Sequence, residues 1–598
     1  MKNRVIILFF LITIANQLAA QKLPVVIPEQ VGLNTVHLLH LDRVINEAIE
    51  KEEIPGAVVA IVKKDKIGYL KSFGYKQVYP TKEPMDITTI FDLASCTKPL
   101  ATATAIMILV EQGYIRLTDP VSDYLPDFNK YENDSVKKEI RIINLLTHTS
   151  GLPGYAPVTQ LSEENEPTAK VLQQYIANCH RNEEPGKRMK YSCLNYITLQ
   201  HIIEKITNQA FNVFCDDNIF KPLNLKSTGF ILSDKHKKRC APTELINDDE
   251  LLCGTVHDPL ARIFNKGVSG NAGLFSTAEE VALLTSLFLN NGIIQGKRIL
   301  SPASIELMQN TPIGLETFGR TLGWDKNTAY SSNQGDMMSQ SAFGHTGYTG
   351  TSITIDPEKE LALIILTNSV HPYDKGKTNR LRSLIANIVV AADNAAGNQD
   401  YLKHYQSRIE TFENETPITQ KDIVFIGNSL TENGGDWGKR LGKKHIRNRG
   451  IIGDTTYGVI NRLSKIVEGK PKQIIVTIGT NDISQGLNNR TIIENIDSII
   501  KAFQDHSPQT NILIQNVLPI NEKKSWYRLM KNKSTVISDL NVLIKQLASQ
   551  RGVTFIESYN EFVRDNTNQL KDIFTNDGLH LNEEGYHVWS NFLKQYIK

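Results

Sequence analysis

Two apolar runs separated by a charged turn, "GAVVAIVKKDKIGYLKSFGY" (56–75), read as a β-hairpin about "KKDK". A second hairpin pattern, "TSITIDPEKELALIILTN" (351–368), comes far downstream. Between them, "PLATATAIMILVEQG" and "NYITLQHIIEKIT" are helical in pattern. Hairpins flanking a helix-rich middle predict an antiparallel sheet built from both ends of one domain, with a helical insert. After "SLIANIVVAADNAA" the chain turns polar, and a linker is expected over 397–420. Beyond it, the strand-like runs "DIVFIG", "QIIVTIG", "NILIQNVLP" and "VTFIES" alternate with helical stretches. That alternation predicts a parallel sheet with helices on both faces, whose ligands sit at the carboxyl ends of the strands. There is no internal repeat and no low-complexity tract.

Length fits this division, because 598 residues exceed what one hydrophobic core supports. The expected parts are a leader (1–20), a first domain (21–396), the linker (397–420) and a second domain (421–598). A net charge of +2 gives no electrostatic case for nucleic acid or an anionic membrane surface. The first residues change the picture more. Lys2 and Arg4 form a basic head, Val5 to Ala15 an apolar run, and Ala19-Ala20 a small-residue exit. The run is short for a membrane span, which takes about 20 residues. It reads as an export signal cleaved near Ala20, placing the mature protein in the periplasm or outside the cell, with no other attachment to membrane. The six cysteines, all in the first half, show no short repeated spacing of a disulfide framework or zinc site.

Candidate chemistry gathers at two serines. Ser95 in "LASCTKPL" stands three residues before Lys98, so on a helix the amine reaches the hydroxyl. Ser135 and Lys138 share this spacing but sit in a charged stretch with no apolar helix behind them, and that copy reads as chance. Pro99 is tolerated only in a first helical turn, which places the helix start, and its positive dipole end, near Ser95. Lys98 serves as base if burial keeps its amine neutral.

In order, "FDLASCTKPLATATAIMILVEQG", "DPVSDYLPDF", "INLLTHTSGLP", "KYSCLNYITLQHIIEKIT", "NAGLFSTAEEVALL" and "FGHTGYTG" resemble the serine β-lactamase-like hydrolases over about residues 30–390. That family holds class C β-lactamases, D-alanyl peptidases, esterases and amidases. The resemblance implies Ser95 as nucleophile, Lys98 as its base partner and Tyr191 as the proton shuttle to the leaving group. It also implies His345, Thr346 and Gly347 as the cleft-lining edge strand, with the amides of Ser95 and Tyr348 as oxyanion donors. Cys193 stands where family members acting on β-lactams usually have asparagine, and His345 where they often have lysine. Cysteine cannot bridge Lys98 and a substrate amide as a carboxamide does, and histidine is only a part-time cation at neutral pH. Both changes weaken the β-lactamase and carboxypeptidase readings and leave esterase or amidase activity open, and "GVSGNAGLFS" resembles relatives that cut the amide between muramic acid and peptide. "THTS" (147–150) reads as a structural turn.

The second serine, Ser429 in "FIGNSLTENG", follows an apolar strand. "NRGIIGDTTYGV" supplies Gly453, "VTIGTNDIS" supplies Asn481, and "TNDGLHLNEEGY" supplies Asp577 and His580. Acyl transfer needs a hydroxyl, a base, a group orienting the base and donors for the oxyanion. Ser429, His580 and Asp577 fill the first three roles; the amides of Ser429 and Gly453 and the Asn481 carboxamide fill the last. This set resembles the SGNH (GDSL-like) hydrolases over about residues 420–598, nearest to members that deacetylate sugars and other small alcohols, and implies their three-layer flavodoxin-like fold. Asn428 replaces the usual aspartate, a change expected to act on the turn.

The reading is therefore an exported bifunctional serine hydrolase needing neither metal nor organic cofactor. Its expected partners are small esters or acetylated carbohydrates. A muropeptide amidase, peptidase or β-lactamase joined to an O-acetyl esterase is the alternative, as is one domain serving as a non-catalytic binding module.

Overall fold

In "GAVVAIVK" every residue is buried, which marks a strand covered on both faces. A computed structural model of the chain places this strand, β1 (Gly56–Lys63), inside a six-stranded sheet. The structure describes residues 22–597 except 27, 130–138, 182, 248–249, 327, 375, 377, 394–398, 525–527 and 565–566. The expected leader and the Ser135–Lys138 pair lie outside the described residues. The chain divides into two compact units, Met1–Ala395 and Ala396–Lys598. No helix among the described residues is long and apolar enough to cross a membrane.

In the first unit β1 is followed by β2 (Lys66–Gln77), β3 (Glu83–Pro84), β4 (Phe343–Thr346), β5 (Ser352–Asp356) and β6 (Leu361–Thr367), in the spatial order β4-β5-β6-β1-β2-β3. The two expected hairpins join where β1 pairs antiparallel with β6, from Ala57 opposite Thr367 to Lys63 opposite Leu361. Side chains alternate across a strand, so one face is set by Ala57, Val59 and Ile61 and the other by Val58, Ala60 and Val62. The first set packs with α1 (Thr35–Glu50) and α5 (Asn379–Ala392). The second packs with the helical body, including α2 (Thr104–Glu111), α3 (Cys193–Thr207) and α4 (Ala278–Leu289). Lys63, at the end of β1, pairs with Asp393 just beyond α5 at 2.7 Å, both side chains being almost fully buried.

The second unit begins with α6 (Gln399–Asn414), which occupies most of the stretch expected as a linker. Tyr405 is buried, and Phe412 lies under the guanidinium groups of Arg408 and Arg449. Five strands follow: β7 (Ile423–Gly427), β8 (Ile446–Gly450), β9 (Gln473–Thr477), β10 (Asn511–Gln515) and β11 (Thr554–Ile556). They form one parallel sheet in the order β8-β7-β9-β10-β11. Val424 and Ile426 face one apolar layer with α9 (Asn489–His506) and α10 (Ser534–Arg551). Ile423 and Phe425 face the other with α11 (Glu583–Leu593). This is the three-layer arrangement expected, and the carboxyl ends of β7, β8 and β9 open onto the loops carrying Ser429, Gly453 and Asn481.

Candidate active sites

In the first unit Ser95 sits in a single 3₁₀ turn, Ala94–Cys96, directly before a π-helical turn, Lys98–Ala103, that runs into α2. Pro99 lies in the first turn of that helix, where its missing N–H costs nothing. Ala94 is held in the left-handed region (φ 45°), with its N–H donating to Asp92 at 2.9 Å. Lys98 is fully buried and its amine donates to Ser95 Oγ at 2.9 Å and to the Asn271 carbonyl at 2.8 Å. Its third neighbour is Cys193 Sγ at 3.6 Å. The Tyr191 phenol interacts with both Ser95 and Lys98, and the amine lies 5.1 Å from its ring centroid.

Burial works against the Lys98 ammonium, but the neighbouring Cys193 and Tyr191, when ionised, favour it, and the balance lies above the ordinary lysine value. Burial pushes the Tyr191 phenol and the Cys193 thiol upward as well. Burial alone therefore does not supply the neutral amine that was the condition for Lys98 acting as base. Lys98 and Tyr191 are thus coupled titrating groups in contact with Ser95.

The edge strand β4 brings His345 and Thr346 to the cleft, with Gly347 at the start of the turn into β5. A side chain at 347 would collide with the Leu93 carbonyl and the Thr351 hydroxyl, so the close approach of this turn to the Ser95 turn requires glycine. The Tyr348 amide, at the tip, lies beyond the last ladder pair, Thr346 opposite Ser352. His345 Nδ1 lies 2.9 Å from the Thr346 carbonyl, and burial, with Arg320 and Lys98 nearby, holds its pKa well below the usual histidine range. The imidazole is neutral, not a part-time cation.

Three contributors were not legible in the sequence. Arg320, 2% exposed, lines the cleft and places its guanidinium 5.4 Å from the Tyr191 ring centroid. His148 of "THTS" stacks on the same ring with centroids 4.4 Å apart, and its Nδ1 accepts from the Ser192 N–H at 3.1 Å. The turn is structural as expected, and it also fixes Tyr191. Arg382 on α5 donates to the carbonyls of Gly347 (3.3 Å) and Thr351 (3.2 Å), bracing the β4–β5 turn from below. Each comes from a distant segment, and no local spacing marks it.

In the second unit Ser429 opens α7 (Ser429–Asn433) directly after β7. Asn428 caps this helix by accepting from the Leu430 N–H at 3.1 Å, which is the turn role expected of it. His580 Nε2 lies 3.0 Å from Ser429 Oγ, and Nδ1 lies 2.7 Å from Asp577 Oδ2. The other Asp577 oxygen accepts the backbone N–H groups of Leu579 (2.8 Å) and His580 (2.7 Å). Burial raises this carboxyl, but the His580 bond and those amides outweigh it and hold it below the usual range. An ionised Asp577 accepts a hydrogen bond from His580 Nδ1–H and so leaves Nε2 free to accept from Ser429.

Gly453 adopts φ 82°, a conformation glycine enters without strain, at the turn after β8. Asn481 lies in α8 (Thr480–Ser484), where its side-chain amide donates to the Asp454 carbonyl at 2.8 Å. One amide hydrogen thus ties Asn481 to the Gly453 loop, and the second remains for an oxyanion. Asp482 anchors the same loop: fully buried, it accepts from the N–H and hydroxyl of Thr456. Hydrogen bonds thus join Ser429, His580 and Asp577, while Asn481 is tied to the loop of Gly453, and both groups lie at the carboxyl ends of strands of the same sheet.

Comparison with known proteins agrees with this division. The β-lactamase family profile matches residues 41–387, and the profile of the GDSL-like lipase/acylhydrolase family matches residues 425–588. An N-acetylmuramyl-L-alanine amidase of Bacillus subtilis (strain 168) is 33% identical over 371 residues, spanning 57% of this chain and 83% of that protein. The solved structure of EstCE1, described as a hydrolase with promiscuous acyltransferase activity, superposes with a TM-score of 0.50 at 25% identity. It covers 60% of this chain and 99% of its own.

Proposed function

We propose, for a chain that belongs to the β-lactamase family and carries a domain matching the GDSL-like lipase/acylhydrolase family after it, the activity of an exported two-site serine hydrolase. The observation carrying this reading is that each unit assembles its own hydroxyl-to-base contact, Ser95 to Lys98 at 2.9 Å and Ser429 to His580 at 3.0 Å.

At the second site His580 takes the Ser429 proton as Oγ attacks the carbonyl of a small acyl ester. The tetrahedral oxyanion is met by the amides of Ser429 and Gly453 and by Asn481. His580 then passes the proton to the leaving alcohol, and water, activated by the same imidazole, hydrolyses acyl-Ser429.

At the first site the Lys98–Tyr191 pair takes the Ser95 proton, and Tyr191 returns it to the departing group. Backbone amides of Ser95 and Tyr348 face the developing charge. The bond broken is an ester or an amide. A second reading, a muropeptide amide as substrate, is favoured by the amidase relative. Export is inferred from the basic, apolar and small-residue order of the first twenty residues.

The test is hydrolysis profiling of wild type, Ser95→Ala, Ser429→Ala and the double variant against O-acetylated sugars and muropeptides. Loss of sugar deacetylation only with Ser429→Ala, and of the other activity only with Ser95→Ala, is expected. Deacetylation that survives Ser429→Ala contradicts the assignment. Release of peptide from muropeptides, abolished by Ser95→Ala, selects the second reading.

A further inference from the structure

Tyr348 is 68% exposed, an unusual position for a large ring beside the half-buried Ser95. It is nonetheless held. Its hydroxyl donates to Asp374 at 2.7 Å, and its ring stacks on His257 with centroids 5.7 Å apart and planes 20° from parallel. His257 is fixed in turn: its Nε2 lies 3.0 Å from Glu244, and its backbone N–H donates to Asp92 at 2.7 Å. Asp92 is the residue that also holds the Ala94 amide next to Ser95. A rigid aromatic face is thus registered to the nucleophile through one shared carboxylate.

One face of the ring is covered by imidazole. The other is open, and the cleft it borders carries Asp374, Asn379 and Gln334. Asp374 receives the Tyr348 hydroxyl and the Gly376 N–H, one on each oxygen, and each oxygen retains a lone pair. An apolar side chain would call for an enclosed apolar pocket. A flat ring beside a carboxylate and amides suits a ligand with one face of C–H groups and an edge of hydroxyls. We propose that Tyr348 is the stacking platform for a pyranose ring attached next to the scissile carbonyl, with Asp374 accepting from a ring hydroxyl. This deepens the reading of Ser95 as nucleophile and rests on it. The platform residue also supplies the oxyanion amide, so a stacked sugar lies beside the reacting bond.

The test uses full-length protein carrying Ser429→Ala, so that only the first site is read. Two amide substrates are compared, N-acetylmuramyl-L-alanine and its sugar-free counterpart lactyl-L-alanine, together with the matching pair of esters. The readout is the ratio of kcat/KM with sugar to that without. Tyr348→Leu is expected to lower this ratio about tenfold, and Tyr348→Trp to preserve it. Asp374→Asn is expected to lower it through KM. A ratio unchanged by Tyr348→Leu, with both rates falling together, overturns the platform. Sugar-dependent hydrolysis that persists in Ser95→Ala instead overturns the nucleophile assignment, a distinct outcome.

Discussion

At the scale of single residues, proton inventory decides what each site does. Lys98 and Tyr191 both lie above their ordinary values, so the singly deprotonated pair is scarce at neutrality and grows with pH. Ser95-dependent kcat/KM should therefore rise through the alkaline range, whereas a base limb complete below pH 7 in a rate profile would contradict the shared-proton account. Asn481→Ala should lower turnover at the Ser429 site by about 10²–10³-fold, the cost of one oxyanion donor. Near-normal turnover would remove Asn481 from that role. Ser95 with Lys98, and Asp577 with His580, were legible because three-residue spacings act locally. Arg320, His148 and Arg382 were not, since only the folded chain brings them to Tyr191 and Gly347. The neutrality of His345 was equally hidden, because burial, not residue type, sets it.

Among the elements, α6 shows most clearly what polarity conceals. "QDYLKHYQSRIETFEN" looks like a linker, yet Tyr405, Ile409 and Phe412 form one helical stripe. The helix reaches the second site through Glu432. His404 Nε2 lies 2.9 Å from that carboxylate and Arg408 Nε 3.3 Å, while its other oxygen accepts the Ile452 N–H at 2.6 Å, next to Gly453. Glu432→Ala should loosen the Gly453 loop and lower Ser429-dependent turnover about tenfold or more, leaving Ser95-dependent hydrolysis unchanged in the same preparation. The β1–β6 pairing, by contrast, was readable from two hairpin patterns. Where β1 ends, Lys63→Met would strand Asp393 as a buried charge. That costs about 3–5 kcal/mol, visible as a lower unfolding midpoint of the first unit.

For the whole molecule, both layer architectures followed from the switch between hairpins around helices and strands alternating with helices. Substrate identity did not follow, because it depends on cleft walls assembled from many loops. The central proposal is that one chain carries two acyl-serine centres, at Ser95 and at Ser429. Intact-mass analysis after reaction with a fluorophosphonate tests this most directly. Wild type should gain two adducts, mapped to Ser95 and Ser429; each alanine variant should gain one and the double variant none. A single adduct on wild type, or labelling that survives in the double variant, would contradict it.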